Sequence, residues 1–337
     1  MGKQTWFKKY ILDGLSAMAM GLFASLIIGL ILRTSAQQLI QFELLPEISS
    51  HMLEIAGVAS SLMGGAIGVA MGYKWKAPLL VFVSMMIVGQ LGAMTGGPAG
   101  AYLSALTGYL FGIMISNKTP LDILLTPLIV LVSGYAMAST GGSAIGTMMI
   151  ALGHWIEIAT QSSPLIMGVL VSVSMGMILT LPISSAAIAL MLNLSGLAAG
   201  AATAGCCAQM VGFAIMSRKE NSFGMFLAQF FGTSMLQISN IIKNPWIWLP
   251  PTLASAITGP LATMVFKMEN VAAGAGMGTS GLVGPLLTLS VMGTSLNVWL
   301  AMGLLYFVLP SVLSLGFYRI LFHFHLIASK DCTIETV

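Results

Sequence analysis

PLLVFVSMMIVGQLGAMT, residues 78–95, contains no charged side chain, and after GGPAG at 96–100 the chain resumes with AYLSALTGYLFGIMIS, residues 101–116, again without one. A helix needs about 20 predominantly apolar residues to cross the hydrocarbon core of a bilayer. The stretch therefore predicts two membrane spans, near 78–94 and 101–116, joined by small residues. Lys74 and Lys76 precede the first and Lys118 follows the second. That is the expected pattern if all three lysines stay on the cytoplasmic side.

The rest of the chain repeats this pattern. Hydrophobic residues make up 57% of it and charged residues 7%, with a mean hydropathy of +0.95; soluble domains carry about 25% charge. So little charge cannot cover a soluble surface. Further apolar runs predict spans near 14–32, 52–72, 120–139, 143–160, 165–191, 195–216, 246–266 and 286–325, the last divided in two. The fold class expected is all-α: a polytopic transmembrane bundle of about ten spans. Residues 1–328 would form one membrane domain and 329–337 a short polar tail. Lys3, Lys8, Lys9, Arg218 and Lys219 also nominate the cytoplasmic side, and the acidic stretch 43–47 the outside. Two segments are too polar for ordinary spans. Residues 33–50, with Arg33, Glu43, Pro46 and Glu47, read as a loop or surface helix, and 220–244 carries Gln229, Gln237, Asn240 and Lys243.

Glycine clusters where spans should be continuous. Thr95–Gly100, Thr140–Ser143 and Gly274–Gly281 are rich in Gly, Ser and Thr. Backbone that leaves helical geometry at membrane depth must be buried in protein or line a wet cavity. These clusters predict broken helices, with Gly96, Gly97, Pro98, Gly276, Gly278 and Gly281 at re-entrant tips. The alternative is close helix packing through small residues. An internal repeat is also visible at an offset of 125, pairing Lys118 with Lys243, Pro120 with Pro245, Leu124 with Leu249 and Gly134 with Gly259. Duplicated halves are a common construction of secondary transporters.

Polar groups within apolar runs are costly and nominate a site. Pro182 with Ser184 and Ser185 interrupts a long run and marks a kink or a binding site. Gln209 offers two donors and an acceptor to a hydroxylated solute, or to a neighbouring helix. Thr233, Gln237, Asn240 and Asn244 recur at helical spacing and share one face. With Ser234, Thr279 and Ser280 they complete a candidate solute site of uncharged hydrogen-bonding groups. Glu54, His154 and Glu157 are candidates for ion or proton coupling, each carboxylate lying three residues after a histidine on one helical face. No nucleophile–base pair, Walker loop, dinucleotide fingerprint or zinc spacing is present, so catalysis has no residues to stand on. Cys206 and Cys207 are adjacent and Cys332 lies in the tail, which is no disulfide framework.

LPISSAAI (181–188), GCCAQMVGF (205–213), GTSMLQ (232–237), Lys243-Asn244-Pro245 and GMGTSGLVG (276–284) together resemble the membrane-spanning IIC component of the bacterial phosphotransferase system, in the branch that includes perfringolysin O regulator-like proteins. The Asn117–Pro120 turn and the Gly96-Gly97-Pro98 break are similar to those of fructose-type IIC permeases. The resemblance implies a homodimeric permease with re-entrant hairpins in the bacterial cytoplasmic membrane, moving a sugar or sugar derivative by an elevator-like displacement. In such systems a IIB protein phosphorylates the emerging sugar. The 329–337 tail cannot hold a IIA or IIB domain, so separate subunits would supply phosphate, or transport proceeds without it. No sugar-binding Glu or His of other IIC proteins maps onto Glu54, His154, Glu157 or Glu269. The expected partners are the bilayer, a small polar solute, a second copy of the chain and separate IIB and IIA proteins; no cofactor, metal or nucleic acid is expected. A membrane sensor that binds a ligand without transporting it is the rival reading.

Overall fold

The computed structural model describes residues 6–41, 45–160 and 163–334. Five of its helices are long and apolar enough to cross a membrane, and a sixth crossing results if two helices bent by 58° count as one span. In chain order these are α1 (Lys8–Gln37), the bent pair α2 (Pro46–Ser61) and α3 (Met63–Lys74), α4 (Leu79–Ile115), α5 (Asp122–Thr160), α8 (Gly196–Met216) and α13 (Leu296–His323). Outward faces carry Leu79, Met94 and Ile123 at 74%, 76% and 79% exposure, a surface suited to lipid rather than water. Between α5 and α8 lie α6 (Pro164–Thr180) and α7 (Ser185–Met191), and after α8 come α9 (Phe223–Phe231), α10 (Ile238–Lys243), α11 (Leu249–Pro260) and α12 (Val283–Met292). The chain forms two compact units, Met1–Met149 and Ile150–Ile334.

In the first unit α4 is a helical hairpin. Gly96 (φ −131°, ψ 18°) and Gly97 (φ 59°, ψ −149°) leave helical geometry. Its two arms then fold back on each other: a side chain added to Gly92 would collide with the Gly100 carbonyl, and Gly108 and Gly112 lie against Val88 and Val81. The expected spans 78–94 and 101–116 are these arms. The expected spans 120–139 and 143–160 are instead helical without a break, as α5. Its Thr140–Ser143 cluster is not a break. A π-turn occupies Ala138–Gly142, and Thr95 Oγ1 donates to the Ala138 carbonyl oxygen at 2.9 Å. Gly142 is small because Thr95 Oγ1 sits where its side chain would go. At the open end of the hairpin, Trp75 packs on Tyr10 and Tyr109, at ring-centroid distances of 5.7 and 4.8 Å, and Lys9 lies over Tyr109. Such an aromatic and lysine belt belongs to a membrane–water interface. The 33–50 segment resolves into the end of the first helix, which continues to Gln41, and the start of α2 at Pro46; Glu43 falls outside the described residues.

In the second unit α8 is the central helix, 94% buried over its most apolar window. Its small side chains let neighbours approach closely. At Gly205 any side chain would run into the Ser172 carbonyl of α6, while Ser255 of α11 donates its hydroxyl to the Gly205 carbonyl oxygen at 3.1 Å. The long run expected at 165–191 is divided into α6 and α7, and that at 286–325 into α12 and α13. The two stretches paired by the sequence repeat share a local form. Each begins in a turn bearing Pro120 or Pro245, continues as a helix, and passes into a π-turn, Ala138–Gly142 or Leu261–Val265.

Candidate functional site

Three helix breaks converge on α8 in the second unit. The first, between α6 and α7, contains Pro182, whose ring removes a helical donor; the backbone is extended at Leu181 (φ −77°, ψ 160°) and Ser184 (φ −81°, ψ 94°). Ser184 caps α7 by accepting from the Ala187 N–H at 3.1 Å. The second break follows α9, where Gly232 turns the chain and Thr233 Oγ1 accepts from the Met235 N–H at 3.1 Å, starting a 3₁₀ turn over Ser234–Gln237. The third runs from Gly276 to Leu282, with Gly278, Gly281 and Leu282 at φ 53°, 53° and 58°.

Each break is hydrogen-bonded to the other two. Ser185 Oγ, just past the first, donates to the Gly276 carbonyl oxygen of the third at 2.6 Å. Thr279 Oγ1 of the third donates to the Phe230 carbonyl oxygen ahead of the second. Thr180 Oγ1, at the end of α6, lies 2.8 Å from Ser234 Oγ of the second. Thr180 Oγ1 also lies 3.3 Å from both Gln209 Oε1 and the Gly176 carbonyl oxygen, either of which can accept its hydrogen. Gln209 Nε2 in turn donates to Thr252 Oγ1 on α11 at 3.0 Å, and Thr252 donates to the Trp248 carbonyl oxygen at 2.8 Å. A chain of hydrogen bonds therefore links Ser234, Thr180, Gln209 and Thr252. Thr180, Gln209, Ser234 and Thr279 are fully buried, and Ser185 and Ser280 nearly so. Ser280 Oγ, out of solvent, has no hydrogen-bond partner. An unmade bond at a buried hydroxyl costs about 1–3 kcal/mol.

The structure thus brings together Pro182, Ser184, Ser185, Gln209, Thr233, Ser234, Thr279, Ser280, Gly276, Gly278 and Gly281. It directs Gln237, Asn240 and Asn244 elsewhere. Gln237 Nε2 donates to Gln229 Oε1 at 2.9 Å and to the Cys332 carbonyl oxygen at 3.0 Å, while Gln237 Oε1 accepts from Asn240 Nδ2 at 2.8 Å. Asn240 Nδ2 also reaches the Thr333 carbonyl oxygen at 2.9 Å, and Asn244 Nδ2 donates to Leu326 O and Asp331 Oδ2 at 3.0 and 2.7 Å. The stripe expected to face a solute holds the C-terminal segment. Glu220 and Asn221 hold it as well, Glu220 Oε2 accepting from the Cys332 N–H and Asn221 Oδ1 from the Ile334 N–H at 2.9 and 2.8 Å. The part of the polar tail at 329–334 is accordingly packed into the second unit, with Cys332 fully buried.

Glu54 is exposed on α2. His154 Nδ1 and Glu157 Oε2 face each other at 3.3 Å on an exposed side of α5. Sequence reading missed Thr180 and Thr252, and it passed over Asn270, a buried amide that braces the third break. Asn270 Nδ2 lies 2.9, 3.1 and 3.1 Å from Thr203 Oγ1, the Gly284 carbonyl oxygen and Thr288 Oγ1, and its Oδ1 accepts from the Val271 N–H at 2.8 Å. Its position beside the glycine-rich 274–281 stretch was the available signal.

No curated protein and no solved structure matches this chain. The family described as Phosphotransferase system, EIIC, matches residues 12–334, a span that includes all three breaks, the central helix and the seated C-terminal segment. With nearly its whole length matched, the chain belongs to the EIIC family, the membrane-spanning permease component of the phosphotransferase system.

Proposed function

We propose that this EIIC permease carries a neutral, hydroxyl-rich solute, a sugar or sugar derivative, and binds it where the three helix breaks meet α8. The observation that carries the reading is the set of pairwise hydrogen bonds among the breaks, Thr180 with Ser234, Ser185 with Gly276 and Thr279 with Phe230, around the amide of Gln209. Broken helices turn backbone N–H and C=O groups away from their own ladders, and such groups line transporter sites near the bilayer midplane. Hydroxyl and amide side chains can stand in for the water that a sugar leaves behind. Among the described residues the junction is built of hydroxyl, amide and backbone groups, which suit a neutral polyol rather than an ion. Ser280 Oγ is a free hydrogen-bonding group at the junction for such a solute or a water molecule.

The further reading is of a homodimer in the bacterial cytoplasmic membrane that moves solute by an elevator-like displacement, with separate IIB and IIA proteins supplying phosphate. Proteoliposomes containing the purified chain would be given labelled hexoses, pentoses and hexitols, with and without phosphorylated cytosolic components. Uptake of one of these solutes is expected. Binding without net uptake would point instead to a membrane sensor.

A further inference from the structure

The third break is the tip of a loop closed at its neck. Asn270 stands at the entrance of that loop and Gly284 at its exit, with a short helical turn, Ala272–Ala275, and the break itself between them. The neck is fastened to the first turns of α8: Val271 pairs with Ser195 and Asn270 with Gly196 as antiparallel bridges, and a side chain at Gly200 would run into the Met268 carbonyl. Farther along α8, Cys206 and Met210 meet Ala275 and Thr279 through their sulfur atoms, and Cys206 presses on Gly278. Sulfur is a weak hydrogen-bonding partner. The strong bonds of the tip go to the other two breaks, and those of the neck come from Asn270.

The Asn270 side chain is built into the neck from both sides. It is 1% exposed, and its Nδ2 reaches Thr203 of α8 and, on the leaving arm, the Gly284 carbonyl oxygen and Thr288. Thr203 donates its own hydrogen to the Ala199 carbonyl oxygen at 2.8 Å, which leaves its lone pairs for Asn270. Oδ1 takes the Val271 N–H on the entering arm. One flat group thus ties α8 to both arms, which needs donors and an acceptor together; an isosteric carboxylate has no donor. Two further contacts tighten the loop. The Gly284 N–H donates to the Gly278 carbonyl oxygen at 3.1 Å, and Thr288 Oγ1 lies 3.0 Å from the Tyr306 hydroxyl of α13. Gly274 lies against the amide: a Cβ there would stand 2.6 Å from Asn270 Oδ1 and 2.8 Å from Nδ2. Its φ is not left-handed, so what calls for glycine is the space that the amide fills.

We infer that Asn270 is a positioning residue for the solute site: by closing the neck of the third break it sets where the Gly276 carbonyl and the Thr279 hydroxyl meet the first and second breaks. The inference rests on the reading of the junction as the solute site, and it names a residue that acts there through the loop rather than by touching the solute. Binding groups keep their geometry only when supporting side chains lock them. Without the amide the neck is freed, the tip shifts along α8, and the groups around Gln209 no longer share one arrangement.

Asn270→Ala, Asn270→Asp, Gly274→Ala and the Asn270→Ala, Gly274→Ala pair are compared with the parent in the full-length chain. D-glucose, D-fructose and D-mannitol serve as probes, read by calorimetry in detergent and by uptake into proteoliposomes, and hydrogen exchange follows the backbone of 274–284. For a probe that binds the parent, each single variant should weaken affinity about tenfold. Exchange at 274–284 should quicken while that of the α4 hairpin stays unchanged. Gly274→Ala acts by pushing the amide aside, so adding it to Asn270→Ala should change affinity less than about twofold. A lower melting temperature with unchanged affinity in the folded single variants would make the amide merely structural, overturning the positioning role and leaving the transport reading standing. Additive losses in the pair would show that the loop rather than the amide carries the effect, and would overturn it too. Failure of every probe to bind or enter the parent chain would overturn the transport reading and the positioning role together. Should Asn270→Ala fail to fold, Gly274→Ala and Asn270→Asp still decide the matter.

Discussion

Gln237 and Cys332 are joined by a hydrogen bond from the Gln237 side-chain amide to the Cys332 backbone carbonyl oxygen, at 3.0 Å, which fastens the C-terminal segment to the turn that follows the second helix break. Gln229, Asn240 and Asn221 complete the seat. Removing residues 329–337 should leave several buried amides without acceptors, each costing about 1–3 kcal/mol. The truncated protein is expected to melt at a lower temperature in detergent than either the parent chain or Gln237→Leu. Equal melting of truncated and full-length protein would show that the segment is not a structural strap.

Cys332 reports on the same seat. Burial, with Glu220 and Asp331 close by, holds its thiol well above the ordinary thiol range. The folded thiol stays protonated while an unfolded one ionises above about pH 8.5. The unfolded state then binds fewer protons, so stability is expected to fall as pH rises from about 8.5. Maleimide labelling followed by peptide mapping should find Cys332 unmodified in the native protein at pH 7.5 and modified in a Gln237→Leu, Asn221→Ala double variant. Rapid modification of the parent chain would contradict the docked geometry.

The breaks were legible because their signal is local. Gly96-Gly97, Pro182 and the Gly276–Gly281 cluster impose or permit non-helical backbone wherever they occur. The same small residues also serve packing, which is why Thr140–Ser143 reads as a break and folds as a π-turn pressed against Thr95. Of the stripe read at helical spacing, Thr233 sits in extended backbone at the second break, while Gln237, Asn240 and Asn244 reach the C-terminal segment. Their partners, Leu326 to Thr333, lie more than eighty positions along the chain, and no local pattern names them. Thr180 and Thr252 were invisible for another reason: a hydroxyl in a helix ordinarily bonds its own preceding turn, and nothing in the sequence shows that these two meet Gln209.

Gly97 isolates the conformational cost of a hairpin tip. Its φ of 59° with ψ of −149° lies in a region that is essentially restricted to glycine, and no atom lies within 4 Å of where a Cβ would stand. Gly97→Ala should therefore cost about 1–3 kcal/mol through backbone strain alone. Thermal denaturation in detergent would read this cost, and an unchanged midpoint would mean that the tip adopts another conformation.

The α4 hairpin also places three lysines at one end. Its arms run antiparallel from Leu79 and back to Ile115, so Lys74, Lys76 and Lys118 share its open end, near the belt of Lys9, Tyr10, Trp75 and Tyr109. The positive-inside rule predicts that this end is cytoplasmic. Single cysteines at 74 and 118 should react only with reagent on the cytoplasmic side, and one at 97 should be protected from it. Labelling of 74 or 118 from outside intact cells would reverse the assignment.

Gln209 is the residue on which the solute site turns. Its carbonyl accepts from Thr180 and its amide nitrogen donates to Thr252, so one side chain links the first break on α6 to α11. Gln209→Ala removes both bonds, leaves the buried Thr180 and half-buried Thr252 hydroxyls to find other partners, and takes away groups that a sugar hydroxyl could use. A loss of about 1–3 kcal/mol corresponds to roughly ten- to a hundredfold weaker binding, with insertion and folding retained because α8 is held by its close-packed small residues. Gln237→Leu is the control, since its amide serves the C-terminal segment: it should lower the melting temperature and leave affinity near that of the parent. Calorimetry on detergent-purified protein, with the solute identified by uptake, compares the two. Normal affinity in Gln209→Ala would remove the amide from the site and return it to helix packing, and weakened affinity in Gln237→Leu at unchanged stability would move the site toward the second break.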